Sequence, residues 1–168
     1  LPLTDFHCPL LTLPKVFNTT LTTIPTYQAY LHSDSKNVAA WAKTLGEKTQ
    51  PRVGLVWSGG TGHKNDHNRS IALSSLIDYL PDGIEYVSLQ KDVRDSDRLT
   101  LAKSSKVRTY DDQIADFSDT AALCDLMDLV ISVDTSVAHL SGALGRPTWI
   151  LLPYVPDWRW LLDRDDSP

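Results

Sequence analysis

Cysteine is scarce: Cys8 and Cys124 are the only two in 168 residues. Two thiols cannot form a disulfide framework, and they read as reduced side chains of a cytosolic protein. Long apolar runs are missing as well. The longest are strand-length, so no segment reads as a transmembrane span. No basic stretch leads into an apolar one near the start, so no signal peptide is read there. Basic charge is in deficit, with 16 Lys and Arg against 21 Asp and Glu and a net charge of −5. That balance argues against nucleic acid as a partner, because no surplus exists to neutralise its phosphates. Internal repeats and low-complexity tracts are absent too. What is present is 42% hydrophobic residues and enough length for one α/β domain with its own core. The chain opens on Leu1 and stops in Asp165-Asp166-Ser167-Pro168. The expectation is a piece of something longer.

The most informative stretch is Asp128 to Pro153. Leu129 to Val133 is an apolar run rich in β-branched residues, as expected of a parallel strand buried on both faces. Val137, Leu140 and Leu144 then recur at helical spacing, with Ala138 and Ala143 permitting close approach to a sheet. Gly145 suits the left-handed position after a helix, and Pro147 forbids its continuation. Thr148 to Leu152 reads as a second buried strand, completing a βαβ unit. Asp134, Thr135 and Ser136 fall where the first strand ends and the helix begins. Free backbone N–H groups and two hydroxyls there form a seat for an anion, above all a phosphate.

The same alternation runs through most of the chain. A helix is expected near 36–48, with Val38, Trp41, Ala42 and Leu45 on one face. A strand follows at Arg52 to Trp57, then a glycine-rich polar loop from Ser58 to Ser70. A helix carrying Leu73, Leu76, Ile77 and Leu80 leads to a strand at Ile84 to Leu89, with Gln90-Lys91-Asp92 at its tip. A charged helix near 95–103, a weaker edge strand at Lys106 to Tyr110, and a helix from Thr120 to Met127 capped by Ser118 or Asp119 lead back to the βαβ unit. Strict alternation of this kind predicts a parallel sheet with helices on both faces. Residues 1–34, with Pro2, Pro9, Pro14 and Pro25, are too proline-dense for a long helix. They read as an extended apolar arm that packs on something, or as a linker, ahead of a domain spanning 35–168. In the tail, Arg159 lies between Trp158 and Trp160 and is placed for a cation–π contact; the segment packs as a surface loop or faces a ligand.

Several familiar motifs fail. Gly59-Gly60-Thr61-Gly62-His63-Lys64 lacks the Gly-Lys-Ser/Thr end of a P-loop, and Gly-x-Gly-x-x-Gly is absent. His63, Asp66 and His67 would need a helix to match zinc spacing, and the loop is too glycine-rich for one. Asp134, Ser136 and His139 have the letters of a hydrolase triad, but the serine and histidine share one helix with no strained elbow. What remains is a phosphate-friendly loop in which Lys64 and Arg69 supply charge. Arg69 is the better candidate, because a guanidinium grips phosphate with two parallel hydrogen bonds. His139, one turn into the anion-seat helix, is placed for a ligand or a neighbouring loop. Cys124 lies on an apolar helix face and reads as core.

Six stretches in order carry a resemblance. They are Arg52 to Gly59, Asn68 to Ile71, Val87 to Gln90, Asp116 to Ala122, Asp134 to Leu140, and Trp149 to Pro153 continuing into Pro156 to Trp160. Together they resemble the heptosyltransferase-like glycosyltransferases of family 9, in the form found at the C-terminal end of bacterial tetratricopeptide-repeat proteins. A weaker echo lies in Asp5 to Leu10.

The resemblance implies a GT-B fold, two Rossmann-like domains across a cleft, of which this chain is the C-terminal, donor-binding half. It implies a nucleoside-diphosphate sugar as donor, no cofactor and no metal, and an acceptor that is a glycan, lipid or protein. Carried over by position, Thr135 and Ser136 bind the diphosphate. Asp134 caps the helix or touches the sugar. Arg69 and the Ser58-Gly59 turn face the phosphates, and Ser88, Leu89 and Gln90 line the base and ribose. Asp116 edges the donor pocket. The catalytic base belongs to an acceptor domain that is not in this sequence, nor are tetratricopeptide helices, so the fragment alone is expected to transfer no sugar. Two other readings stand beside this one: a non-catalytic nucleotide-binding or scaffold module of a repeat protein, and an unrelated Rossmann-like enzyme such as a nucleotide-sugar epimerase.

Overall fold

All five expected strands are present, the one expected at Lys106 to Tyr110 only as Val107–Arg108. In the computed structural model, residue 3 and residues 5–25, 29–161, 164, 166 and 167 are described. The arm holds a 3-10 turn at Leu10–Thr12 and one helical turn, α1 (Leu13–Val16). Helix α2 (Ser35–Leu45) is capped by Asp34, whose carboxylate accepts from the Lys36 N–H at 2.9 Å. Then come β1 (Arg52–Val56), a helical turn α3 (Asp66–Arg69), and α4 (Leu73–Leu76), which tightens into a 3-10 turn through Tyr79. These lead to β2 (Glu85–Ser88), α5 (Asp95–Lys103), β3 (Val107–Arg108) and α6 (Phe117–Asp125). The chain closes with β4 (Leu129–Val133), α7 (Ser136–Ala143), β5 (Thr148–Leu151) and a 3-10 turn at Trp158–Trp160.

The five strands form one sheet in the order β3-β2-β1-β4-β5. Every pair is parallel, with Val53 opposite Tyr86 on one side of β1 and opposite Leu129 on the other. Side chains alternate between faces, as the pleat requires. Val53, Leu55 and Trp57 pack with Leu73 and Ile77 on one face. Val56, Val87 and Val130 pack with Trp41, Leu123 and Leu144 on the other. Helices therefore cover both faces, and the expected α/β architecture is present. No helix among the described residues is long and apolar enough to cross a membrane.

Three details differ from expectation. Strand β5 is an edge strand rather than a buried one, and Trp149 is 64% exposed. Its register with Ile131 puts it on the face of the sheet carried by α4 and α5. Helix α6 starts at Phe117 with Asp116 as its cap, accepting from the Ser118 N–H at 2.7 Å. Asp119 is already engaged, accepting from Ala115 N at 2.9 Å and Trp41 Nε1 at 3.0 Å. The arm meets the domain where the Tyr30 and Leu31 N–H groups donate to the Ala143 carbonyl and the Ser33 hydroxyl donates to the Asp125 carboxylate. The arm is not wholly extended, since it holds two helical turns, and its Phe6, Leu10, Leu11 and Phe17 side chains are exposed, so they do not pack on this domain.

Cys124 is buried in α6, and burial pushes its thiol up to about 12. Cys8 is exposed. Alkylation at neutral pH should therefore modify Cys8 rapidly and Cys124 only on unfolding. Two equal fast rates would mean that the α6 face is open to solvent.

Candidate functional site

In an open parallel sheet the ligand crevice lies outside the carboxyl ends of the strands, where the strand order reverses. Here that point falls between β1 and β4, neighbours in the sheet but separated in the chain by β2 and β3. A cleft of about 320 Å³ opens there. Ser58, Gly59 and Gly60 follow β1 along one side; Asp116 and Phe117, and Thr135 and Ser136, bring the starts of α6 and α7 to the other. The first N–H groups of a helix have no acceptor within it, and they carry its positive end. Thr135 is the N-cap of α7, and its side chain makes no cap bond. Its hydroxyl lies 3.1 Å from that of Ser132. Ser58 is 2% exposed and lines the cleft, yet its hydroxyl has no partner among the described residues. Two helix starts and an unpartnered buried hydroxyl thus converge on one small volume.

The glycine-rich loop is held from behind by a charged hub. Asp66 accepts from the Ser70 hydroxyl at 2.7 Å and from Arg94 Nη2 at 2.5 Å. Ser70 Oγ accepts the Gly59 N–H at 3.0 Å, and Arg94 Nη2 donates to the Gly59 carbonyl at 3.0 Å. Burial pushes the Asp66 carboxyl up, but the hydrogen bonds from Ser70 and Arg94 and the charges of Arg94 and Arg69 outweigh it, leaving it below its ordinary value. Arg69 does not reach into the cleft. Its Nη1 donates to the Asp134 carbonyl at 2.8 Å, strapping the β1 loop to the end of β4. A Cβ on Gly59 would sit 2.7 Å from Arg69 Cζ, so a larger residue there would have to push the guanidinium aside.

Other expected site residues divide clearly. Leu89 and Gln90 line the cleft, but the Gln90 amide is fully engaged. Its Oε1 accepts from Ser58 N at 3.3 Å, and its Nε2 donates to the carbonyls of Ser58 at 2.8 Å and Asp92 at 3.2 Å. Gln90 therefore positions the β1 loop. Ser88 is fully buried beneath the cleft and accepts the Gln90 N–H, so it lines nothing. Lys64 is exposed on the glycine-rich turn and does not line the cleft. The cation that does is Lys91, at the tip of β2, whose ammonium donates to the Ala115 carbonyl across the mouth. Lys91 was legible only as the first charge beyond a strand's carboxyl end.

Asp134 neither caps α7 nor faces the cleft. Both its carboxylate oxygens accept from Arg159 Nη2 at 2.9 Å. Burial raises its pKa, but Trp160, Arg159 and His139 together bring it below the ordinary 3.8. The pair's contribution to stability is therefore present at neutral pH and lost only as the pH falls below that value. The Trp160 indole N–H lies close enough to favour the carboxylate, though it meets no acceptor at hydrogen-bonding geometry. Arg159 also lies over the Trp160 ring at 5.4 Å, the expected cation–π contact. His139 stacks on Trp160 at 5.1 Å and 14°. It belongs to a second cleft of about 720 Å³ beside β5, shared with Trp149 and Arg146, and not to the cleft between β1 and β4.

No protein-family model and no solved structure matches the chain. The chain is similar to the protein FlbA of Caulobacter vibrioides, with 31% identity over 137 residues, covering 76% of this chain and 22% of FlbA. It thus spans about a fifth of that relative's length.

Proposed function

We propose that this domain binds the nucleoside-diphosphate sugar of a metal-independent glycosyltransferase, as the donor half of a GT-B enzyme of the heptosyltransferase-like kind. The observation that carries the reading is the convergence of the α6 and α7 starts with the unpartnered Ser58 hydroxyl at the switch point of the sheet. The ordered run of six family-like stretches supports it. Departure of a diphosphate leaves negative charge on its oxygens. Pre-aimed N–H groups and the Thr135 and Ser136 hydroxyls would stabilise that charge with little reorganisation, and the Lys91 ammonium would add to them by turning from the Ala115 carbonyl. Leu89 and Val56 give the cleft an apolar floor suited to a base, and Phe117 presents an exposed ring beside it. The acceptor, a glycan, lipid or protein, and the base that deprotonates it would lie on a separate domain, to which the arm would lead. The exposed apolar arm favours a second reading, a scaffold module, since such side chains serve contact with another surface.

Thermal melting with and without ligand decides between them. A nucleoside diphosphate at a hundredfold excess over its dissociation constant stabilises by about 2.7 kcal/mol. For a domain of this size that is a rise of roughly 5–10 °C. ADP, UDP and GDP should be compared with their nucleosides, and at least one diphosphate should outperform its nucleoside. No response to any diphosphate would leave the scaffold reading.

A further inference from the structure

We propose that Arg159 is a positioning residue for the anion seat, acting through Asp134 and not on the ligand. This rests on the reading of the seat as a diphosphate site. Asp134 stands between the last residue of β4 and Thr135, the N-cap of α7. Its placement therefore sets where the Thr135 and Ser136 hydroxyls and the first helical N–H groups point. Two arginines hold it from opposite directions. Arg69, from the β1 loop, takes its backbone carbonyl at 2.8 Å. Arg159, from beyond β5, takes both carboxylate oxygens at 2.9 Å.

Arg159 is itself held in place. Its own N–H donates to Asp157 Oδ1 at 3.2 Å, its Nη1 lies 3.4 Å from the same oxygen, and its guanidinium lies over Trp160. Trp160 stacks on His139, one turn into α7. The segment after β5 is thus fastened to the start of α7 at two points, a charge pair and a ring stack. Asp134 is 8% exposed whereas the Arg159 side chain is 42% exposed. Arg159 shares the cover of this carboxylate with Trp160 and with His139, whose Nε2 lies 3.8 Å from Asp134 Oδ1. Losing the guanidinium would free the turn and also uncover a negative charge beside a seat for anions. Both effects oppose a diphosphate, and neither touches a nucleoside.

Two measurements test this. In the first, Arg159→Ala should lower affinity for the best-binding nucleoside diphosphate by about tenfold, the scale of one charge-assisted hydrogen bond, and leave the matching nucleoside unchanged. Arg159→Lys should recover part of the loss, because an ammonium can still pair with Asp134. The second needs no ligand: hydrogen exchange at the first bonded amides of α7, beginning with Ala138, whose N–H donates to the Thr135 carbonyl at 3.1 Å, should quicken in Arg159→Ala, with the sheet amides unchanged. Parental exchange at those amides, or parental diphosphate affinity in Arg159→Ala, would overturn the inference. Should Arg159→Ala fail to fold, the same two measurements on Arg159→Lys decide, and parental values there also overturn it. Absence of diphosphate binding in the parent protein is a separate result. It removes the diphosphate reading, and with it the proposed purpose of the clamp, whatever the exchange data show.

Discussion

Replacing Thr135 and Ser136 together by alanine is expected to weaken nucleoside diphosphate binding by at least a hundredfold. A hydrogen bond to a charged partner contributes about 1.5–3 kcal/mol, so each hydroxyl accounts for roughly a tenfold to hundredfold change in affinity. Folding stability should hardly move. Ser136 is exposed, and the Thr135 side chain makes no cap bond with α7, so what a threonine usually contributes at an N-cap is mostly absent here. Calorimetric titration of the double variant against the parent, with a denaturant melt of each, separates the two quantities. Equal affinities would place the diphosphate elsewhere.

The largest loss of stability is expected from Asp97→Ala. Asp97 is 3% exposed and accepts two buried donors, Trp57 Nε1 at 2.9 Å and Leu73 N at 3.1 Å. Removing the carboxylate orphans both, at about 1–3 kcal/mol each. A total near 4 kcal/mol lowers the melting temperature by roughly 10 °C in a domain of this size. Asp97→Asn keeps one acceptor oxygen and turns an amide NH2 toward the other donor, so an intermediate loss is expected. The damage should also reach the cleft, because Trp57 directly precedes Ser58. A change under 1 kcal/mol in Asp97→Ala would mean that these donors find other acceptors.

Asp97 also shows where sequence reading stops. It sits in Asp95-Ser96-Asp97-Arg98, which looks like a solvated helix start, and its partners lie 40 and 24 residues away. The strands were legible because a run buried on both faces must be almost wholly apolar. The place of the cleft was legible because strand ends and helix starts can be placed from the same pattern. Pairings between loops were not. Arg69 carried the right charge, but its bond to the Asp134 carbonyl and its place beside Gly59 depend on how the β1 and β4 ends meet. Ser88 was expected in the cleft by its position at a strand tip, yet the pleat turns it inward. Lys64 and Lys91 are both cations past strand ends, and only the fold distinguishes the one beside the cleft. Trp149 looked like core because its neighbours are apolar, but an edge strand has one side with no strand to cover it.

The strand order has a consequence in time. Strand β1 is the centre of the sheet, and one of its two partners, β4, joins it at Val53 opposite Leu129, 129 − 53 = 76 residues later. A ribosome adding about 5–20 residues per second takes roughly 4–15 s to cover that interval. Within it, once β2 and then β3 have been made, β1 can pair with β2 and gather β3, while its other edge, Arg52 to Val56, offers unpaired N–H and carbonyl groups beside apolar side chains. The same interval leaves the cleft with one wall. During synthesis, then, this chain passes through a three-stranded stage whose open edge is a strand that is buried along its whole length in the folded protein. Anything that slows translation between Tyr110 and Leu129 lengthens that exposure.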